Sequence, residues 1–248
     1  LFSITGGLAM LITAIQSLPF IEFIFNSARS FDQPIGFRTD WYLPWKHLIQ
    51  LTVPDFFGNP STLNYFGQWN YGEFVSYIGI IPLLLSSIAI LGRRDKTTWF
   101  IAILGLISLV FALPNFISFL PYQLHLPFIS TTAPSRLIFV TDFSLVALAS
   151  LGLDLILKER KIKAIVWSGI IIGVFLGILW ISVLTNPFKI EIVNLLVAKR
   201  NLYLPTGLFV AGWLLIMCHA ELVSASHRSR NKFGMTILII LLLLISLD

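Results

Sequence analysis

The chain has 248 residues, 56% of them hydrophobic and only 12% charged, with a net charge of +5 and a mean hydropathy of +0.86. Soluble domains carry about 25% charged residues, so the polar surface here is too small to cover a water-soluble globule. The basic residues fall in short loops between apolar runs rather than on one polar face, which argues against nucleic-acid binding, and a single cysteine, Cys218, excludes an internal disulfide.

Crossing the hydrocarbon core takes roughly 20 apolar residues, and six or seven such runs follow one another. The first predicted span covers Leu1–Phe25 and contains Pro19. The second covers Val75–Leu91, with Pro82 inside it. The third covers Thr97–Leu113, the fourth Leu137–Leu157, the fifth Ala164–Leu184 and the sixth Leu204–Ala220. A seventh starts near Met235. The pattern predicts an all-α fold: a polytopic transmembrane helical bundle, residues 1–248 forming one transmembrane domain, with partly helical interfacial loops outside it. An apolar run that begins at Leu1 without a basic flank is not a signal peptide. It reads, with the stop at Asp248, as a fragment of a longer chain.

Lysine and arginine give the bundle a direction. Arg93, Arg94 and Lys96 lie between spans two and three. Lys158, Arg160, Lys161 and Lys163 lie between four and five, and Arg228, Arg230 and Lys232 between six and seven. If every run crosses, all three loops share one face, which the positive-inside rule makes cytoplasmic. The opposite face carries a large aromatic loop, residues 26–73, and a Pro-rich loop, residues 114–136, broken by Pro114, Pro121, Pro127 and Pro134. The aromatic loop is too rich in Trp, Tyr and Phe to stay solvated and is expected to fold at the membrane surface. Phe116–Phe128 reads as a short interfacial or re-entrant helix. Thr185–Tyr203 reads as an amphipathic helix lying on the membrane. The basic loop at 219–234 contains CHAELVSASHR, which resembles the translated product of a repetitive genomic element of some bacteria; an ordinary basic loop explains it equally well.

No nucleotide-binding, zinc-protease or paired-cysteine motif is present, and His47, His125, His219 and His227 show no metal-ligand spacing. The informative groups stand at the outer ends of the spans. Glu22 lies near a membrane boundary, where an acidic group must pair or face a wet cavity, and Arg29 is its nearest candidate partner. Arg136 stands at the mouth of span four, where a guanidinium can fork onto phosphate oxygens or simply snorkel. Asp142, six residues on, is off the helical pairing interval from Arg136, whereas Asp154 and Lys158 are on it. In the large loop Asp32, Asp40, Asp55 and Glu73 are candidates for acid/base or metal work, with Asp55 also placed to cap the turn in VPDFFGNP.

Three stretches carry a family resemblance. They are AIQSLPFIEFIFNSAR at 14–29, VPDFFGNPSTLNYFGQWNYGEFVSYIGIIPLLL at 53–85 and LPFISTTAPSRLIFVTDFSLVALASLGLDLIL at 126–157. Their order resembles the YfhO family of bacterial membrane proteins, in the GT-C class of glycosyltransferases. The resemblance implies a multi-pass protein of the bacterial plasma membrane that moves a sugar from a lipid-phosphate donor to a cell-envelope glycan or lipid acceptor on the external face. It places the usual catalytic acid in a loop upstream of this chain, with Glu22 and Asp55 as positional candidates here. Arg29 and Arg136 would contact the donor phosphate, and the one cofactor such chemistry would take is a divalent cation. A lipid or polysaccharide transporter or flippase, and a non-catalytic membrane scaffold, are the competing readings.

Overall fold

The fold is that of a computed structural model, in which the described residues are 2–26, 39–124, 126, 132–159, 161–222 and 230–247. Among them the helices are α1 (Phe2–Asn26), α2 (Tyr71–Phe74), α3 (Ile80–Gly92), α4 (Lys96–Ala112), α5 (Phe116–Gln123), α6 (Ile138–Lys158), α7 (Ile162–Thr185), α8 (Ile192–Leu222) and α9 (Arg230–Leu247). Every regular element among the described residues is helical, with four short 3-10 turns between the longer helices. Four segments are long and apolar enough to cross a membrane: Ser3–Phe23, Pro134–Lys158, Ile162–Thr185 and Ile192–Ala220. Counting α4 and α5, bent by 70° at their junction, as one broken span makes five. That is fewer than the six or seven read from hydropathy.

The second predicted span accounts for much of the difference. Its helix begins at Ile80, not Val75, and α3 has only 13 residues. At 1.5 Å per residue that is about 20 Å, short of the roughly 30 Å hydrocarbon core. Val75–Gly79 run in without helical pairing, and Gly79 at φ 97° turns the chain into the helix, a conformation that glycine adopts without strain. Pro82 therefore lies in the first turn, where its missing N–H removes no bond, and is not a mid-span breaker. Hydropathy could not place this start, because Val75 and Ile78 in the lead-in carry the apolar run back beyond the first helical residue.

Short as it is, α3 is the centre of the bundle. Ile80, Ile81, Leu84, Leu85, Ile88 and Ala89 are all buried, against α6, α7 and α8. Between helices in lipid the gain comes from close packing rather than from leaving water, and glycines allow it. A Cβ on Gly152 would lie 2.0 Å from the Leu85 main-chain oxygen, and one on Gly105 2.8 Å from the Ser144 Cβ. Where α4 meets α6, the Ser108 and Thr141 hydroxyls bond each other at 2.8 Å, and Thr141 Oγ1 donates to the Gly105 carbonyl at 3.2 Å. On the other side Trp213 of α8 lies over Gly169 of α7, its indole N–H donating to the Ile165 carbonyl at 3.1 Å.

The α4–α5 bend is built by Asn115. Its Oδ1 accepts from the Ile117 and Ser118 amides, its Nδ2 donates to the Val110 and Leu113 carbonyls, and Ser118 Oγ accepts from the Asn115 amide. This capping box satisfies donors that a helix start leaves open. The short helix expected at Phe116–Phe128 is thus Phe116–Gln123; residues 127 and 128 lie outside the described residues.

The surface helix expected over Thr185–Tyr203 is corrected. Asn186 ends α7 in a left-handed conformation and clamps Ile190 through both its amide atoms. From Ile192 the chain is one continuous helix to Leu222. Lys199, Arg200 and Pro205 interrupt the apolar run and so hid its length. Pro205 is accommodated inside the helix, next to Thr206, whose hydroxyl donates to the Leu202 carbonyl at 2.6 Å and accepts from the Trp180 indole at 3.0 Å. The helices also shorten the basic loop expected at 219–234, since α8 reaches Leu222 and α9 starts at Arg230; residues 223–229 of the repeat-like stretch lie outside the described residues.

No residue between Ser3 and Phe23 is buried, and α4 and α6 turn Phe100, Ile103, Leu106, Phe139, Phe143 and Val146 outward. Apolar exposure on this scale suits a lipid surrounding rather than water. Arg93 reaches Asp154 and the Leu151 carbonyl, so the 93–96 and 158–163 clusters meet at one end of the bundle. The aromatic and Pro-rich loops gather at the other.

A candidate site at the aromatic end

The aromatic loop packs into the bundle, not only at its surface. Val53, Phe56 and Phe57 join the main core, while Leu43 and Phe74 pack with Ala112, Leu113 and Ile138. Gly58 makes the turn after Asp55: its φ is 77° and a Cβ there would lie 2.2 Å from the Asn64 main-chain oxygen. Asn201 of α8 ties this turn down by donating to the Asp55 main-chain oxygen.

His47 is the loop's buried polar centre, 2% exposed between Phe57 and Phe74. The Gln68 amide donates to Nε2 at 3.4 Å, so Nδ1 carries the proton and donates to Gln50 Oε1, while Gln50 Nε2 donates to the Pro54 carbonyl at 2.8 Å. Both ring nitrogens are satisfied only in the neutral form. Burial pushes the imidazole below its ordinary value, the Gln50 bond opposes this, and the Lys46 charge adds to it. The unfolded loop then binds the extra proton more readily than the folded one. The stability from neutral His47 is present above about pH 6.5 and is lost as pH falls through the lowered folded value. Limited proteolysis of the loop should therefore speed up between pH 7.5 and pH 5, and His47→Gln should flatten that dependence; greater protection at pH 5 in the unaltered protein would refute it.

Asp55 belongs to this scaffold. Its Oδ1 accepts from Asn59 Nδ2 at 3.2 Å and from the Tyr71 hydroxyl at 3.0 Å. Burial, then the bond to Asp55, pushes the Tyr71 hydroxyl up to about 12, so Tyr71 stays a proton donor to the carboxylate. The carboxylate thus braces the VPDFFGNP turn through the Asn59 and Tyr71 side chains, while the turn's own Gly58 amide donates to the Asp55 main-chain oxygen.

The residues that do converge are Asp40, Glu73 and Arg136. A 3-10 turn, Thr39–Trp41, supplies Asp40 and Trp41; the approach to α2 supplies Trp69 and Asn70, and α2 supplies Glu73; a 3-10 turn, Pro134–Leu137, supplies Ser135 and Arg136. They line a cavity of about 140 Å³. Arg136 forks onto Glu73, Nη2 to Oε1 at 2.7 Å and Nε to Oε2 at 3.1 Å. Ser135 is 1% exposed, and its hydroxyl is buried without a hydrogen-bond partner among the described residues. An unmet hydroxyl in such a place is a cost that a bound polar group would remove.

Arg136 thus pairs with Glu73, 63 residues away in sequence, and not with Asp142, which accepts from the Ser76 hydroxyl beside α3. Asp154 pairs with Lys158 at 2.6 Å, as their spacing predicts, and with Arg93 at 3.3 Å. Glu22 is exposed on α1 and does not line the cavity; Arg29 and Asp32 lie outside the described residues. Among the described residues no three His, Cys, Asp or Glu side chains converge as a metal ion would require. Ser135 was missed in the sequence, where nothing distinguishes a sealed hydroxyl from a solvated one, and Trp41 and Trp69 were visible only as two aromatics among many.

Chemically the cavity offers two carboxylates, a guanidinium and two indoles around one open hydroxyl. Carboxylates accept from hydroxyl groups, the guanidinium takes an oxyanion in a fork, and indole faces cover the apolar side of a ring. At about 140 Å³ it is smaller than the 300–1,000 Å³ of a drug-sized site and holds one ring or one headgroup. Comparison with known protein families, curated proteins and solved structures finds no match to this chain.

Proposed function

We propose that the chain is part of a multi-pass glycosyltransferase of the bacterial plasma membrane, which takes a sugar from a lipid-phosphate donor at the aromatic end of the bundle. In this reading the positive-inside rule puts the basic loops on the inner face and the aromatic end outside. The observation that carries the reading is the cavity that joins Arg136 and Glu73 to Asp40, Trp41 and Trp69, with the buried Ser135 hydroxyl unpaired among the described residues in its wall. A lipid-linked sugar presents its phosphate at the membrane surface and its ring in the water above, so a cation and a ring-sized cavity must lie together at that boundary. In this reading Arg136 takes the phosphate, Asp40 accepts from sugar hydroxyls, Glu73 holds the Arg136 guanidinium until the phosphate displaces it, and the acceptor is a cell-envelope glycan or lipid.

The test is transfer from polyprenyl-phosphate sugars by the full-length protein in vesicles. Trp69 is 65% exposed, so Trp69→Ala should leave folding intact. It should raise the donor KM by about tenfold, the equivalent of one lost stacking contact, with kcat nearly unchanged. An intact protein that transfers from none of a panel of such donors would end this reading.

A second reading, a lipid or polysaccharide flippase, is favoured by a different observation. The half-length α3, its non-helical lead-in and the nearby Asp142 form a discontinuous helix with an ionisable group beside it, as in transporters. Movement of a labelled lipid-linked sugar between leaflets without transfer would select it.

A further inference from the structure

We propose that the cleft at the basic end of the bundle is a binding site for the phosphate headgroup of an anionic phospholipid. It is the larger cavity, about 880 Å³, where the ends of α3 and α6 meet the starts of α4 and α7. Five basic and three acidic residues line it.

The acids are already engaged. Asp95 caps α4, accepting from the Thr98 amide at 2.9 Å, and holds Arg93 at 2.9 Å. Asp154 holds Arg93 at 3.3 Å and Lys158 at 2.6 Å, and Glu159 pairs with Lys161 at 3.1 Å. These bonds fix the floor and leave Arg94 and Lys163, both exposed and both lining the cleft, with no ion pair among the described residues. The cleft thus combines a rigid frame with surplus positive charge. An anion supplies what is missing, and a phosphodiester presents two oxygens to two separate cations.

The surroundings select a lipid over a soluble phosphate. Leu91 is 45% exposed at the rim; Trp99, in the first turns of α4, is 48% exposed, and Trp167, in the first turns of α7, is 59% exposed. Tryptophans at this depth mark the headgroup level of a bilayer, so the cleft opens where phosphates are. Basic pockets between membrane helices on the inner side are suited to acidic headgroups. The inference does not rest on sugar transfer.

The experiment is native mass spectrometry of the full chain in detergent, with equal phosphatidylglycerol and phosphatidylcholine. The unaltered protein should retain phosphatidylglycerol about tenfold over phosphatidylcholine, and Arg94→Gln with Lys163→Gln should reduce that to near parity. Lys163→Gln alone should give an intermediate loss, and Lys189→Gln with Arg200→Gln, at the other end, should give none. Unchanged preference in the double variant would overturn the site. Displacement of the lipid by an equal concentration of glycerol phosphate would overturn the lipid in favour of a soluble anion.

Discussion

Replacing Gly152 with alanine is expected to destabilise the bundle by about 1–3 kcal/mol, the usual cost of forcing a group into a packed core. The new Cβ would lie 2.0 Å from the Leu85 main-chain oxygen and 2.7 Å from its carbonyl carbon. Backbone cannot rotate aside as a side chain can, so α3 and α6 must move apart. On its far side α3 has little room to yield, because a Cβ on Gly212 of α8 would already be 3.1 Å from Ile81 Cγ1. Gly177 of α7 is the control: nothing lies within 4 Å of its Cβ position, and Gly177→Ala should be neutral or gain up to about 1 kcal/mol from helix propensity. Thermal unfolding of both variants in one detergent separates the effects. A Gly152→Ala protein as stable as the unaltered one would rule out the α3–α6 approach described above.

That contrast also shows what hydropathy can and cannot carry. The long apolar helices were legible because charge is scarce everywhere, and the meeting of two basic clusters at one end of the bundle because Arg93, Arg94, Lys161 and Lys163 punctuate apolar runs. α4, α6 and α7 lie within a few residues of their predicted bounds. The short α3 was not legible: Val75 and Ile78 ahead of it are partly buried in protein, and burial in protein and immersion in lipid select the same apolar residues. The upright start of α8 was hidden for the opposite reason. Lys199 and Arg200 look like the end of a span, yet Ala198 and Leu202 beside them are buried.

The candidate site was legible as residue types and not as a set. Arg136 stood out and Asp40 and Glu73 were two of four loop acids, but their convergence depends on the α4–α5 bend and on Leu43, whose amide donates to the Ala112 carbonyl at 2.9 Å. No local spacing encodes a contact over 63 residues. Asp55, the acid that its turn motif made most conspicuous, is occupied by Tyr71 and Asn59. Conspicuous local chemistry was spent on folding the loop, and the open chemistry lies where distant turns meet.

Arg136→Ala in the full-length protein should lower kcat/KM for a lipid-phosphate sugar by about 100-fold, the scale of one charge-stabilising donor removed from a reacting phosphate. Its stability should barely change. The Arg136 side chain is 59% exposed, and an exposed ion pair contributes about 0–1 kcal/mol, too little for misfolding to explain such a loss. Arg136→Lys keeps the charge but not the fork, so it should recover only part of the rate. Glu73→Gln separates the two roles of the pair. If Arg136 serves the phosphate, Glu73 competes with that phosphate for the guanidinium, and Glu73→Gln should leave the donor KM unchanged or lower it. If the pair only holds α2 against the Pro134–Leu137 turn, Arg136→Ala and Glu73→Gln should be equally impaired and equally less stable, and Arg136 would leave the proposed site.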